Sequence, residues 1–294
     1  MKVTGERSKT PGVQFINGTI DIATDNEMTN IVTIHFSYVT PTYTKSGKPN
    51  ATYTVLQNII NGTTCNVMEH GVDRAAKMRI DSQIGLNEFW SVRNKPEGEI
   101  VSQIRNEGGF IHLVQTIAAT EGMRDTFKTD MIITNCRLEE ADPDRGREER
   151  MAVKGYIFDF RNALLPVEYY VYDPKGISVF EGLEASEKNP AFCCVNGHQV
   201  NKTVTTIRSA ERTNGWGESF AQEVTSSQRE FVISGVDIYE WDTEETITAQ
   251  EYKEALQNRE VAIAEIKARQ EEYAASQAQT ATVSQNTFAG GFNF

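Results

Sequence analysis

The stretch Ile31–Val39, which reads IVTIHFSYV, alternates apolar and polar residues and is rich in β-branched and aromatic side chains. A period of two predicts a half-buried strand. The same pattern recurs at residues 153–160, 167–172 and 230–234, with turn signals at residues 17–18, 46–49, 96–98 and 173–176. Short, closely spaced strands favour barrels or sandwiches over alternating strand–helix units. The sequence therefore predicts a mainly β body over residues 1–236.

The length of this body allows either one domain or two. A dense charge cluster at residues 139–150, which contains Pro143 and Gly146, predicts a solvated loop. This loop is either a seam between two β units, about 1–136 and 151–236, or a long hairpin loop within one domain. Short helices are expected around residues 51–60 and 74–77.

The pattern becomes helical after an acidic linker at residues 237–247. Thr248 and Glu251 have the spacing of a capping box, and a helix is expected over residues 248–275. Its thin apolar stripe is interrupted by Arg259 and Gln270, which fits a helix laid along the body or a weak oligomer contact.

Residues 276–294 are expected to form a flexible, disordered tail. The run at 274–285 offers too little apolar surface to offset the entropy of ordering. The tip of this tail carries Phe292 and Phe294. Such a tip is either a frayed terminus or a peptide that docks in a pocket of a partner.

The formal net charge of the chain is −12, of which −7 lies after residue 236, which leaves −5 on the body. The total argues against nucleic acid, but a nearly balanced body can still carry a cationic groove. No stretch approaches the ~20 apolar residues of a membrane helix, and the N-terminus has no apolar signal core. We therefore expect no membrane association, a cytoplasmic location, and four cysteines that form no disulfide framework.

Sequence motifs of catalysis are not found. The chain has no phosphate-binding loop, no dinucleotide-binding glycine motif and no nucleophile elbow. Cys193, Cys194 and His198 do not have the spacing of a zinc site. The carboxylates of residues 139–144 lie in a predicted loop, whereas acid–base catalysis needs held geometry. We expect no enzymatic activity, no cofactor and no metal.

Two stretches mix cationic and aromatic residues, as sites for single-stranded nucleic acid do. In residues 77–95, alternation places Lys77 and Arg79 on the face opposite Met78 and Ile80. Phe89 and Trp90 diverge, and Trp90 is expected to be the exposed one. The candidate nucleic-acid-binding residues of this region are Lys77, Arg79, Phe89, Trp90, Arg93, Lys95 and Arg105.

The second stretch surrounds the turn at Ser46 and Gly47. A hairpin tip with two lysines and flanking tyrosines could close over a strand, although an ordinary loop has the same pattern. Its candidates are Tyr43, Lys45, Lys48 and Tyr53. A weaker third set is Lys154, Tyr156 and Arg161, of which Tyr156 also suits a core position.

Several motifs, taken in order, resemble a family of bacteriophage proteins from Firmicute-phage replication modules. They lie at residues 13–21, 79–82, 87–89, 105–110, 158–161 and 164–168, and at the Gly-Gly-Phe-Asn-Phe end. That family is similar to single-stranded-DNA-binding proteins of the OB-fold type. The resemblance implies one or more OB-like barrels and a tail that recruits polymerases and helicases. The tail departs from this pattern because no acidic residue follows Glu272.

The expected function is non-sequence-specific binding and protection of single-stranded DNA in phage DNA replication or recombination, in the cytoplasm of the host cell. Phe292 and Phe294 would recruit a polymerase, helicase or recombinase. One alternative is a virion structural or assembly protein without a nucleic-acid role, which an all-β body and a helical arm also suit. Another is strand annealing at the same site. The sequence does not distinguish one barrel from two, and a homo-oligomer is compatible with it.

Overall fold

The computed structural model describes residues 2–4, 13–43, 45–93, 95–142, 146–159, 162–209, 221–240 and 246–288. No helix in these segments is long and apolar enough to cross a membrane. The strands and α-helices of this part are β1 (Lys2–Thr4), β2 (Phe15–Ala23), β3 (Ile31–Val39), α1 (Ala51–Ile60), α2 (Val67–His70), β4 (Lys77–Ser91), β5 (Glu99–Val114), β6 (Thr126–Glu139), β7 (Arg150–Phe158), β8 (Leu164–Val171), α3 (Pro174–Glu181), β9 (Ala191–Ser209), β10 (Ala221–Tyr239) and α4 (Ala249–Phe288).

Strands β6 to β10 form a closed barrel in the order β10-β8-β7-β6-β9. Neighbouring strands are antiparallel, except that β8 and β10 run parallel, and α3 connects β8 to β9. A five-stranded Greek-key barrel of this kind is the OB arrangement. The prediction of a mainly β, OB-like fold with a C-terminal helix is therefore confirmed.

The barrel closes because β6 pairs with two neighbours along its length. Residues 126–133 pair with β9, and residues 131–139 pair with β7. A register shift between Ile133 and Asn135 marks a bulge where the strand changes partner. Gly155 lies opposite, and a Cβ there would stand 1.9 Å from the carbonyl oxygen of Ile132. This close backbone approach requires glycine.

Strands β1 to β5 form an open sheet in the order β1-β2-β3-β5-β4. Because it precedes the barrel in the chain, it is named the first sheet. If the strands of each unit are numbered along the chain, both units run one-two-three-five-four. In both, the third and fifth strands are parallel, and a helix lies between the third and fourth. Within the described segments β1 (Lys2–Thr4) pairs with β2, and no pairing of β1 with β4 is found, so this part of the first sheet is an open version of the barrel.

The charged loop at residues 139–150 is a hairpin loop within the barrel and not a seam. It joins β6 to β7, which are antiparallel neighbours, and Asp142 and Arg147 form a bridge across it. The segment that connects the two units along the chain lies instead between Val114, the end of β5, and Thr126, the start of β6. Charge density alone does not separate a linker from a long hairpin loop, since both are solvated.

Each unit buries a core of its own. The barrel interior contains Met131, Ile133, Met151, Val153, Val167, Tyr169, Val195 and Ile233. The core of the first sheet contains Ile16, Val32, Ile34, Phe36, Leu56 and Ile111. Leu56 belongs to α1, which covers one side of the sheet, and Ile84, Leu86 and Ile104 of the sheet pack against the barrel core.

Helix α4 begins with the capping box that the sequence predicts. The Glu251 amide donates to Oγ1 of Thr248 at 3.2 Å, and the Thr248 amide donates to Oε2 of Glu251 at 2.9 Å. Its first turns lie on the outer side of the barrel, where Tyr252, Ala255 and Leu256 pack with Ile132, Leu164 and Phe192. The helix therefore covers an apolar part of the barrel surface.

The helix extends to Phe288, beyond the predicted end at residue 275. The run from residue 276 has little apolar surface to bury, which is the reason that a flexible tail is expected there. Alanine and glutamine, which are frequent in this run, are good helix formers and need no partner surface for their backbone hydrogen bonds. Phe292 and Phe294 lie outside the described residues.

The bulge opposite Gly155 gives a test of barrel closure. Gly155→Ala would force a Cβ against the Ile132 carbonyl and should lower the free energy of unfolding by about 1–3 kcal/mol. Gly122→Ala is the matched control, because a Cβ at Gly122 meets nothing within 4 Å. Urea unfolding of the two variants measures the difference, and equal stabilities would contradict this account of closure.

Candidate nucleic-acid interface

The outer side of strands β6, β7 and β8 carries a cluster of cationic and aromatic side chains. Alternation sends Met151, Val153 and Tyr169 into the barrel and the residues between them outward. Register then places Arg137 opposite Ala152, and Ala152 opposite Tyr170. We name this surface the barrel face; its members are Arg137, Glu139, Arg150, Lys154, Glu168, Tyr170 and Tyr172, with Glu230 of β10.

Arg150 lies at the centre of the barrel face with only 7% of its side chain exposed. Its guanidinium stands 3.6 Å above the ring centroid of Tyr170. It donates to Oε2 of Glu139 at 2.9 Å, to the Tyr172 hydroxyl at 3.2 Å and to Glu230. Because its donors are committed to these partners, Arg150 holds the Tyr170 ring in place by a cation–π contact.

The charge of Arg150 is secured by its partners. Burial would lower the pKa of this guanidinium, but the hydrogen bonds to Tyr172, Glu139 and Glu230 raise the pKa above its usual value. Burial also raises the pKa of the Tyr172 hydroxyl, and that hydroxyl donates to Glu230 at 2.6 Å. The network is therefore a fixed ionic support for the ring of Tyr170.

Two further cations of the barrel face are open to solvent. Lys154 lies 2.8 Å from Oε2 of Glu168, and Arg137 pairs with Glu139. Burial raises the pKa of Glu168, but the hydrogen bonds from Lys154 and Tyr170 lower it by a larger amount, so the pKa of Glu168 lies below its ordinary value. Exposed pairs of this kind are worth about 0–1 kcal/mol, so a phosphate can compete for either cation.

Helix α4 limits how much of the barrel surface is open. The ring of Tyr156 lies 6.3 Å from that of Tyr252 and packs in the cluster beneath the helix. Tyr156 is therefore a packing residue, the core alternative that the sequence also allowed, whereas Lys154 stays outside the covered area. Arg161 lies outside the described residues.

Lys77 and Arg79 lie on the outer side of the first sheet, as alternation predicts, while Met78 and Ile80 pack on its core. Register adds Phe110 and His112 of β5, opposite Asp81 and Arg79. Phe110 is 52% exposed. Phe110 and His112 cannot be predicted from the sequence alone, because their position beside Arg79 depends on strand pairing.

The cations of this outer surface are compensated in part. Nε of Arg79 lies 3.0 Å from Oδ1 of Asp81, with the arginine 70% exposed. Arg105 is farther along the same side, opposite Gly85, and lies 2.8 Å from Oε1 of Glu107. Alternation along a strand places residues two apart on one face, which explains both pairs.

The β4–β5 hairpin reverses the expected roles of Phe89 and Trp90. Phe89 is on the outer side of the sheet with Arg79 and is 38% exposed. Trp90 is on the side of Ile84 and Leu86, where it lines a groove with Ile263 of α4. The exposed position of Trp90 was therefore a wrong expectation, since alternation counted from Leu86, which packs on the barrel core, directs Trp90 toward the helix.

The hairpin turn itself carries the remaining cations of the first stretch. Arg93 is exposed, and Lys95 lies 2.8 Å from Oε2 of Glu99. A Cβ at Gly98, whose φ is +83°, would lie 2.3 Å from the indole of Trp90. Glycine at this turn therefore lets the indole lie flat against the backbone.

The second predicted stretch forms a turn with exposed lysines but without a pair of flanking tyrosines. The Gly47 amide donates to the Tyr43 carbonyl at 2.8 Å, and Lys45 and Lys48 are exposed. Tyr53 lies in α1 and packs on the core of the first sheet. It is half-buried there, and its expected role beside a bound strand stays a prediction.

Apart from Tyr53 in α1, the predicted residues occupy three places: the outer side of the first sheet, the β4–β5 hairpin and the turn at residues 43–48. The barrel face is a fourth, and of its residues the sequence named only Lys154. Among the described residues, no group of three histidine, cysteine or carboxylate side chains could hold a metal ion.

The Arg150 network gives a second test. Arg150→Ala would leave Glu139 and Glu230 without their buried partner and should lower the free energy of unfolding by about 3–5 kcal/mol. Arg137→Ala removes an exposed arginine from the same Glu139, and its effect should stay within about 0.5 kcal/mol. Urea unfolding distinguishes the two, and similar losses of stability would show that burial of Arg150 does not matter.

Comparison with known proteins gives one finding. No curated protein and no solved structure matches the chain. A family model described as YorF matches residues 2–269. Because this match covers most of the chain, including the first sheet, the barrel and the anchored part of α4, the protein belongs to the YorF family.

Proposed function

We propose that the protein binds single-stranded DNA without sequence preference and protects it during phage DNA replication or recombination. One observation carries this proposal: an OB-type barrel presents Tyr170, Arg150 and Lys154 on the outer side of its second and third strands. OB barrels hold oligonucleotides on that face. The location would be the cytoplasm of the host cell, where replication takes place.

The barrel face has the two components that a single strand requires. A base can stack on an aromatic ring, which contributes about 1–3 kcal/mol per base whatever the base is. The Tyr170 ring is held by Arg150 from one side, and Lys154 and Arg137 lie within the same register to meet phosphates. Because stacking on a ring and pairing with phosphates do not distinguish the bases, binding would be independent of sequence.

The long β9–β10 hairpin extends the surface that DNA could reach. Pairing of β9 with β6 ends at His198, whereas β9 and β10 pair with each other as far as Ser209 and Ala221. The two strands therefore continue as a ribbon into the connection between the fourth and fifth barrel strands. OB barrels use this connection to hold oligonucleotides; Arg208 lies near the end of β9, and the sequence of the connection includes Arg212 and Trp216.

Acidic charge outside the barrel face does not exclude this function. Of the formal charge of −12, −7 lies after residue 236. Charges farther away than a Debye length, about 8 Å at physiological salt, are largely screened, so a phosphate on the barrel face would meet mainly the local charges. Each cation there has a carboxylate partner, for which a phosphate would substitute. Binding would therefore be sensitive to salt and confined to the cationic surfaces.

The salt dependence of binding tests the role of the barrel face. Fluorescent oligo-dT titrated at two salt concentrations should bind the wild-type protein, with log K falling as log salt rises. In the Arg137→Gln/Lys154→Gln variant the slope should become shallower by about 0.7 for each phosphate that is no longer neutralised. Lys175→Gln/Lys188→Gln removes two exposed positive charges elsewhere and should keep the wild-type slope.

Tyr170→Leu separates stacking from charge in the same titration. Loss of one stacked base should weaken binding roughly 5- to 150-fold, the equivalent of about 1–3 kcal/mol, with the salt slope unchanged. Tyr273→Leu removes an exposed ring from the far part of α4 and should bind like wild type. If the wild-type protein does not bind oligo-dT at low salt, the proposed function is wrong.

The C-terminal tip would recruit partners of the DNA, such as a polymerase, helicase or recombinase. Its support is sequence alone: two phenylalanines, Phe292 and Phe294, follow the long helix α4. Deletion of residues 289–294 should leave oligo-dT affinity unchanged within about twofold, since the barrel face stays intact. The same deletion should abolish co-purification of a replication protein from infected cells, and retention of that protein would disprove recruitment by the tip.

A further inference from the structure

The first sheet repeats the connectivity of the barrel, and its outer side also carries cations beside an exposed ring. We infer that the first sheet is a second strand-binding unit, which contacts the same single strand through Lys77, Arg79, Phe110 and His112. This group is named the second surface. The inference rests on the proposed binding of single strands by the barrel face, and it adds a separate site and a longer footprint.

The second surface is built from two paired strands. Arg79 lies directly opposite His112, and Lys77 lies opposite Val114, with Phe110 one pair further along, opposite Asp81. Their neighbours Ile80 and Ile111 pack inward, so these four side chains face away from the core. The ring of Phe110 stays 52% exposed in the middle of a strand, where a base could reach it.

Charge favours an anion at this place. Lys77 and Arg79 are the two cations of this surface, and the carboxylate of Asp81 lies 3.0 Å from Arg79 and 3.8 Å from the ring of His112. No ion pair of Lys77 is found within the described segments. An exposed ring beside such cations is the combination that single-stranded nucleic acid uses.

Glycines fix the position of Phe110 relative to these cations. Gly108 and Gly109 lie opposite Ser82, so β5 carries one extra residue at this bulge. A Cβ at Gly109 would lie 2.1 Å from the Asp81 carbonyl oxygen, and one at Gly108 would lie 2.2 Å from the Phe36 ring. The close approach of Gly109 to the backbone of Asp81 therefore fixes the register that places Phe110 opposite Asp81.

Polar contacts between the two units hold the second surface at a fixed spacing from the barrel face. Asn106 of β5 and Gln199 of β9 exchange amide hydrogen bonds of 2.9 and 3.1 Å. Nδ2 of Asn30 donates to Oδ2 of Asp125 at 2.6 Å. Arg259 of α4 donates to both carboxylate oxygens of Glu88, at 2.6 and 3.3 Å.

A fixed spacing makes the second contact intramolecular. Once the barrel face holds a strand, the second surface meets it at an effective concentration in the millimolar range, so a weak site can raise the affinity by about 10- to 100-fold or more. Strands too short to reach both surfaces cannot gain in this way. The affinity should therefore rise abruptly at the strand length that reaches both surfaces.

The test is a length series of fluorescent oligo-dT, from about 6 to about 40 nucleotides, since one OB unit covers about 4–16 nucleotides. The wild-type protein should show an increase in affinity of at least about tenfold once the strand spans both surfaces. Lys77→Gln/Arg79→Gln/Phe110→Ala should abolish this step and leave the affinity for the shortest bound strand unchanged. Arg79→Gln alone, a change at an exposed position, should reduce the step.

The matched control is Lys175→Gln/Lys188→Gln/Val179→Ala, which removes two exposed charges and one exposed apolar side chain near α3 and should keep the step. A second-surface variant whose affinity for long strands stays within twofold of wild type would overturn the inference while leaving the proposed function intact. Equal reductions in affinity at every length would also overturn it, because the residues would then belong to one site. Absence of binding at all lengths by the wild type would instead refute the proposed function.

Discussion

The fold depends on the way β6 divides its length between two neighbours. Its first half completes the pairing of β9 and its second half that of β7, so every barrel strand has hydrogen-bonded partners on both sides. Closure removes the sheet edges and fixes which side chains point outward. The first sheet has the same connectivity, but among the described residues its first strand does not pair with its fourth. It depends instead on α1 and on packing against the barrel.

Strand geometry also accounts for the electrostatics. Arg79 with Asp81, Arg105 with Glu107 and Arg137 with Glu139 are pairs of residues two apart, which a strand places on one face. A chain with a charge of −12 can in this way present arginines on its sheets without a strongly positive field. A phosphate must compete with a neighbouring carboxylate at each arginine, so any binding of DNA by these surfaces would be easily reversed.

Local patterns predicted what local physics controls. Alternation gave the inward and outward sides of β4 at Met78 and Arg79, and the spacing of Thr248 and Glu251 gave the start of α4. The barrel face was missed because Tyr170 and Arg150 meet only through the pairing of β7 with β8 and the contact with Glu230 of β10. The shared connectivity of the two units was missed for the same reason, since strand order does not appear in the sequence. Trp90 was misplaced because it shares the side of Ile84 and Leu86, and alternation along β4 directs that side toward α4.

Helix α4 has an anchored first part, which packs on the barrel, and a far part, whose removal would leave that packing intact. Tyr252, Ala255 and Leu256 cover Ile132, Leu164 and Phe192, and Arg259 binds Glu88. Proteolytic trimming that stops near residue 273 would leave this cover in place and yield a smaller folded body. A cut before Thr248 would expose the hydrophobic surface of Ile132, Leu164 and Phe192, and the trimmed protein would aggregate.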